Sequence, residues 1–192
     1  MLGCDYLEIH EIVTALFQLL EKTLNELAAI QAIQESRTNS KITSSRFLQL
    51  ANDSIVDNIL ISFAALFDKA KFSNSDNCSF LRLKMLLESN DDDKKKYDSI
   101  ISSINNISGE SNSILPREFR NKTLAHNDWI EIFNHQNYLK YRSTDNLDKI
   151  KDILIRCRKI LSDILKIRFD IEAKEFDFIK EVNMYRKELL CN

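Results

Sequence analysis

The 192-residue chain predicts an all-α protein, an antiparallel helical bundle with a long C-terminal helix. Three observations carry that expectation. The chain holds only 2 glycines and 1 proline, too few turn residues for a sandwich or barrel of short strands. Its apolar residues recur at steps of three and four over long stretches, the spacing that lines one face of a helix. The periodic stretches are separated by short breaks rich in Ser, Asn and Asp. With 44% hydrophobic and 29% charged residues, the chain is long enough to bury a core of its own and reads as one domain over residues 1–192.

The first helix is expected from about Asp5 to Gln34, with Ile9, Ile12, Val13, Leu16, Leu19, Leu20, Leu24, Leu27 and Ala28 on one stripe. Glu35 to Ser40 is polar and reads as a loop. A second helix, about Ser44 to Ala70, carries Phe47, Leu48, Ile55, Val56, Ile59, Leu60, Phe63, Leu66 and Phe67. It is apolar around more of its circumference, which places it at the centre of the bundle. Phe72 to Asn77 is a break, and a short helix follows over Ser79 to Ser89. Asn90, Asp91, Asp92 and Asp93 suit a helix N-terminus, where acidic groups complement the dipole. The helix they start is expected to end near Ile107, before a polar break from Ser108 to Ser113. Pro116 fits the first turn of a further helix, Leu115 to Ala125. Asn127 to Asp145 reads as an ordered loop or broken helix, and the last element spans Leu147 to Leu190. Its Ile150, Leu154, Cys157, Leu161, Ile164 and Ile171 form an approximate heptad seam, which blurs between Phe169 and Phe178.

Several function classes are excluded. Gly3 and Gly109 cannot build a dinucleotide loop, a P-loop or a nucleophile elbow. A net charge of −2 gives no global attraction to nucleic acid or anionic lipid, so any contact with a polyanion must be local. Cys4, Cys78, Cys157 and Cys191 form no CxxC pair, and His10, His126 and His135 form no HExxH, so neither a metal nor another cofactor is expected. Sparse cysteines in a helical chain fit a reducing compartment. The N-terminal MLGCDYLEIHEIV lacks the charged and apolar regions of a signal peptide. No stretch approaches the roughly 18 apolar residues that span a bilayer. The expectation is a soluble cytoplasmic protein with no membrane partner.

The informative segment is Leu115-Pro116-Arg117-Glu118-Phe119-Arg120-Asn121-Lys122-Thr123-Leu124-Ala125-His126-Asn127-Asp128. Arg120 precedes His126 by six positions, and Asn121 follows the arginine. With ten arginines and three histidines in the chain, chance supplies about half a match to Arg, four to six residues, His. Requiring Asn beside the Arg lowers that to about 0.04, so the fuller pattern is informative where the bare one is not. The residue types suit RNA cleavage. Histidine titrates near neutrality and can move the 2′-hydroxyl proton. The arginine fork is permanently charged and matches a pair of phosphate oxygens.

The run RNKTLAHND resembles the signature of the HEPN superfamily of metal-independent ribonucleases, and is most similar to its abortive-infection branch. The resemblance implies a HEPN-like bundle that cleaves RNA by transesterification, leaving a 2′,3′-cyclic phosphate and a 5′-hydroxyl. It implies His126 as base or acid, Arg120 as phosphate clamp and Asn121 as supporting donor. It also implies a homodimer across the motif helices, an antitoxin or defence-complex partner and a role in defence or as a toxin. One departure stands out: toxins controlled by a nucleotidyltransferase antitoxin carry Tyr two residues after the His, and here that position is Asp128. Two other readings stay open. One is a non-catalytic HEPN-like module for assembly or sensing. The other is a plain helical interaction protein in which His126 caps its helix and Arg120 pairs with Asp128 or Glu131.

Geometry adds a constraint. At 100° per residue, Arg120 and His126 lie about 240° apart on a continuous helix and cannot reach one phosphate. Either the helix ends between Thr123 and Ala125, or two chains share a cleft. A basic run from Lys149 to Arg168 offers a further RNA contact. It holds Lys149, Lys151, Arg156, Arg158, Lys159, Lys166 and Arg168 against Asp152 and Asp163. The RNA-binding candidates are Lys122, Lys149, Lys151, Arg156 and Lys159, set against the plain alternative of a solvated helix face. Trp129, Tyr138 and Tyr141 suit base stacking or cover for the core.

Overall fold

The structure, a computed structural model, describes residues 2–39, 46–72, 75–89, 94–116 and 139–169. The described chain is helical apart from turns and one two-residue ladder. The helices are α1 (Leu2–Asn39), α2 (Arg46–Leu66), α3 (Phe80–Ser89), α4 (Lys94–Ile114) and α5 (Thr144–Phe169). α1 packs against α2, α3 and α5, while α4 packs against α3 and α5. α1, α3, α4 and α5 thus close a ring, and α2 lies on the flank of α1.

Side-chain pairs reveal the directions. Glu8 meets Arg82 while Cys78, just before α3, meets the Ile12 carbonyl, and Glu21 meets Arg158 while Gln31 meets Asp148 and Lys151, so α1 runs antiparallel to both α3 and α5. α4 also opposes α5, since one groove brings Ser103 with Asp163 and Glu110 with Arg156. This is the all-α bundle with a long late helix that the periodicity predicts.

The α1 stripe is buried as expected at Ile9, Val13, Leu16, Leu20, Leu24 and Leu27, and extends to Ile30. The α5 seam is buried at Ile150, Leu154, Cys157, Leu161 and Ile164, with Ile153 and Ile160 beside it. Ile171 lies outside the described residues. One core cluster contains these residues together with Val56, Ile59, Leu60 and Phe63 of α2, Phe80 and Leu83 of α3, and Tyr97 and Ile104 of α4.

Several expected boundaries move, each for a local reason. α1 continues through the expected loop to Asn39. No Gly or Pro interrupts residues 35–39, and each added residue gains one backbone hydrogen bond at little entropic cost. α2 stops at Leu66 rather than Ala70, where Phe67 and Asp68 donate to Ala64 and Ala65 in a tightened turn. That turn carries Phe67 into the core, stacked on Phe80 at 5.7 Å and edge-on to Phe63 at 5.2 Å. α2 does not take the central place among the described helices: α1 does, because it packs against α2, α3 and α5. The break at 72–77 contains an antiparallel ladder with Lys71 opposite Asp76 and Phe72 opposite Ser75.

Ser79 caps α3 through its hydroxyl, which accepts from Arg82 N–H at 3.2 Å. α4 runs through the expected polar break to Ile114. Gly109 costs an interior helix about 1 kcal/mol. Burying Ile107 and Leu115 on either side contributes more, at about 1.5–3 kcal/mol for each side chain. Two serine hydroxyls in the break bond to their own helix: Ser111 to the Ser108 carbonyl at 2.9 Å, Ser113 to that of Glu110 at 2.7 Å. Leu115 ends this helix rather than starting another, its N–H donating to Ser111 at 2.9 Å. α5 begins at Thr144 rather than Leu147, because Ser143 caps it by accepting from Asn146 N–H at 3.3 Å. The expected elements over 117–138 and beyond 169 lie outside the described residues.

Two substitutions test this packing. Leu154→Ala is expected to cost about 2–5 kcal/mol of unfolding free energy, the range for emptying a buried leucine site. A Cβ at Gly109 would meet nothing within 4 Å, so Gly109→Ala is expected to stabilise by about 0.5–1 kcal/mol. Urea denaturation of both variants checks the two signs together.

Candidate functional site

Arg120, Asn121, Lys122 and His126 lie outside the described residues, as do Trp129 and Tyr138. What the structure defines is the frame on both sides of residues 117–138. On the entry side, Leu115 is buried at the end of α4. On the exit side, the chain returns in a helical turn at 139–141, with Arg142 and Ser143 donating to the Leu139 and Lys140 carbonyls.

Arg142 is the strongest polar anchor of that exit. Its guanidinium donates to Asp57 Oδ1 at 2.9 Å, to Asp53 Oδ1 at 3.1 Å and to the Asp53 carbonyl at 2.9 Å. The arginine side chain is only 11% exposed. Asp53 and Asp57 sit one turn apart on α2, so their carboxylates stack on one edge of the helix and match the arginine fork. Tyr141 packs partly buried against the core, with Lys140 Nζ 5.8 Å from its ring centroid. The Asn146 amide donates to the Tyr141 carbonyl at 2.9 Å. Sequence reasoning missed Arg142. Asp53 and Asp57 mark two carboxylates on one edge of α2, but nothing near Arg142 marks it as their partner.

The basic run of α5 divides between two edges of the helix. On one edge Lys151 donates to Gln31 Oε1 at 3.1 Å and Arg158 Nε lies 2.9 Å from Glu21 Oε1, both facing α1. On the other edge, Lys149 pairs with Asp145 at 2.6 Å, and Arg156 and Lys159 border a groove against α4. Arg156 grips Glu110 with both ends of its fork, Nη1 to Oε1 at 2.9 Å and Nη2 to Oε2. The groove is about 720 Å³ and is open to solvent, with Asn105, Asn106 and Asp163 among its walls. Arg156 and Lys159 therefore share a surface, whereas Lys149 and Lys151 are divided between the two edges of α5.

Charge placement shifts several groups. The Arg156 hydrogen bond holds the Glu110 carboxyl below the usual carboxylate range, and the arginine is raised in return. Burial pushes the Glu21 carboxyl up, against the pull of Arg158. Burial also drives the Cys157 thiol far above its usual range, so it supplies no thiolate near neutrality. The Cys78 thiol is raised by partial burial as well. Among the described residues, no three His, Cys, Asp or Glu side chains gather as a metal site. No described helix is long and apolar enough to cross a membrane.

The bundle, its late long helix and the position of residues 117–138 between α4 and α5 meet a matching family model. HEPN_AbiU2, described as AbiU2, matches residues 6–175. The chain belongs to that family. It is thus a HEPN-like domain of the abortive-infection class. The AbiU2 match spans most of the sequence, from within α1 to beyond α5, and includes residues 117–138. No curated protein and no solved structure matches the sequence.

The Glu110–Arg156 pair gives a pH test. A carboxyl lowered in the folded state contributes stability above its unfolded value, about 4.3, and loses it as pH falls through the lowered folded value. Both side chains are about half exposed, so the contribution is at most about 1 kcal/mol and is screened by salt. Wild type should exceed Glu110→Gln in unfolding free energy at pH 7, and the difference should shrink as pH falls below the ordinary carboxylate range. Parallel denaturation curves at neutral and acid pH measure it.

Proposed function

We propose that this AbiU2-family domain is a metal-independent RNA endonuclease. The observation that supports the reading is Arg120-Asn121 followed by His126 in a chain whose family is a HEPN family. His126 takes the 2′-hydroxyl proton. The freed oxygen attacks the adjacent phosphorus, the bond to the 5′-oxygen breaks, and that oxygen takes a proton from solvent and leaves as a hydroxyl, while His126 returns its proton to solvent. Arg120 holds the phosphate oxygens as charge builds on them, and Asn121 orients the group beside it. The products are a 2′,3′-cyclic phosphate and a 5′-hydroxyl. Arg156 and Lys159, which border one groove, are the α5 residues best placed to follow an RNA backbone. We further propose a homodimer in which both copies of the motif face one cleft, since one continuous helix would hold Arg120 and His126 about 240° apart. A defence-complex or antitoxin partner would regulate the activity.

A second reading, a non-catalytic assembly module, is favoured by one observation. Lys149, Lys151, Arg156 and Arg158 of the α5 run all have partners within the chain, which leaves little of that run unopposed for RNA. Its consequence is a dimer that binds a protein partner and leaves RNA intact.

The experiment is cleavage of a defined single-stranded RNA. Cleavage should persist in excess EDTA and fail on RNA with a 2′-deoxy or 2′-O-methyl group at the scissile position. The rate should rise with pH through a group near 6.5 as His126 becomes neutral. Arg120→Ala and His126→Ala should each lower kcat about 100-fold or more, and Asn121→Ala less. Cleavage of all-DNA substrate or a strict Mg²⁺ requirement refutes the mechanism. Light scattering should show a dimer at micromolar concentration, and a clean monomer counts against the shared cleft.

A further inference from the structure

We infer that the groove between α4 and α5 is a subsite for one unpaired guanine nucleotide of the RNA. The inference rests on the reading of RNA as substrate, and every residue it uses lies in the described helices. The groove, about 720 Å³, runs from the Glu110–Arg156 pair toward Ser103 and Asp163, with Gly109, Asn106 and Lys159 along its walls. Among the described residues, Asn106, Lys159 and Asp163 have no hydrogen-bond or ion-pair partner. Arg156 uses one donor on each terminal nitrogen for Glu110, so the rest of its five N–H groups are left for a ligand. Gly109 is an independent observation. Glycine weakens a helix interior, and here no neighbour requires it: the residue is exposed, and a Cβ there would meet nothing within 4 Å. Bare helix backbone in the wall of a groove lets a ligand approach closely.

The groove balances Arg156 and Lys159 against Glu110 and Asp163, so a phosphate alone does not match it. The matching ligand carries an anion for the Arg156 end and N–H donors for the Asp163 end. Among the four bases of RNA, guanine alone sets two N–H donors side by side, N1–H and the 2-amino group, to meet both oxygens of one carboxylate. Its O6 lies next to them and accepts from a lysine. Lys159 stands one turn before Asp163 on the same face of α5. Arg156 and Asp163 are about 10 Å apart along the helix axis, the reach of a single nucleotide from phosphate to base edge. That alignment sets the ribose at the Gly109 backbone and the base over Ile107 and Ile160, which close the floor of the groove.

The test measures binding of the full chain to an uncleavable single-stranded RNA, 2′-fluoro throughout, by fluorescence polarisation. The probe is a short oligouridine with one central guanosine, compared with versions carrying inosine or adenosine at that place. Guanosine should bind about tenfold more tightly than adenosine, and inosine, which lacks the 2-amino group, about threefold more weakly than guanosine. Asp163→Asn should erase the guanosine preference and keep the adenosine probe within about twofold of wild type. Lys159→Gln should weaken all three probes, the guanosine probe most. Gly109→Ala should weaken the guanosine probe about fivefold while raising the unfolding free energy, a split that damage to the fold does not produce. Free guanosine monophosphate should bind about tenfold more weakly than the oligonucleotide, because the flanking phosphates are missing. Equal affinity for the three probes, no binding of any of them, wild-type binding by Gly109→Ala, or a mononucleotide as tight as the oligonucleotide overturns the inference. The outcome is separate from catalysis. A chain that binds the guanosine probe as expected but cleaves no RNA refutes the nuclease reading alone, and one that cleaves RNA without a guanosine preference refutes the subsite alone.

Discussion

One apolar stripe on α1 has to serve three neighbours. From Ile9 to Ile30 it runs about 32 Å along the helix, and every side chain of it in the core cluster is nearly or wholly excluded from solvent. α3 packs against this helix at Glu8, the Cys78 thiol just before α3 meets the Ile12 carbonyl, and α5 packs against it from Glu21 to Gln31. α2 lies on it as well. α4 reaches the core from the far side, through α3 and α5. A helix in this position must be long and apolar along one wide face from Ile9 to Ile30. The other helices are shorter because each covers only part of that length.

The ionic side chains follow from the same packing. Among the described residues no charged residue is buried, so charged groups settle along the edges where two helices meet. Glu8 with Arg82, Glu21 with Arg158 and Glu110 with Arg156 each join two different helices. Pairs of this partly exposed kind contribute roughly 0–1 kcal/mol apiece, far less than a single buried leucine. They bear on register rather than stability: each is geometrically satisfied in one alignment of its two helices. For function the consequence is that positive charge on α5 is mostly committed to neighbours. Arg156 and Lys159 share a groove with Glu110 and Asp163, a mixed-charge surface rather than a uniform positive field.

Much of the fold was legible because helical periodicity is local. The α1 stripe and the α5 seam could be read residue by residue, since burial of one face leaves its mark every three or four positions. Ser79 was legible as the start of α3 because a capping hydroxyl acts three residues away. The Ser108–Ser113 segment misled because its composition is that of a loop. Ser111 and Ser113 bond back to carbonyls of their own helix, and the burial that keeps the segment helical comes from elsewhere in the chain. Arg142 was illegible for a related reason: its partners lie 85 and 89 residues away, and no local pattern marks an arginine that will be buried. The candidate motif was the reverse case. Arg120, Asn121 and His126 stood out through their types and spacing alone, without reference to any contact.

The sequence by itself determined the helical class, the two longest apolar faces, the exclusion of glycine-dependent phosphate loops and the chemical character of the motif. All of these depend on residues within a few turns of one another. Tertiary structure alone decided which helix is central, which basic residues face α1 and which face α4, and how the chain is tied down after residue 138. Those outcomes depend on which surfaces meet. Arg156 and Arg158, two positions apart on α5, look alike in sequence, yet one turns to Glu110 of α4 and the other to Glu21 of α1, on opposite edges of a helix whose one apolar face is already committed to the core.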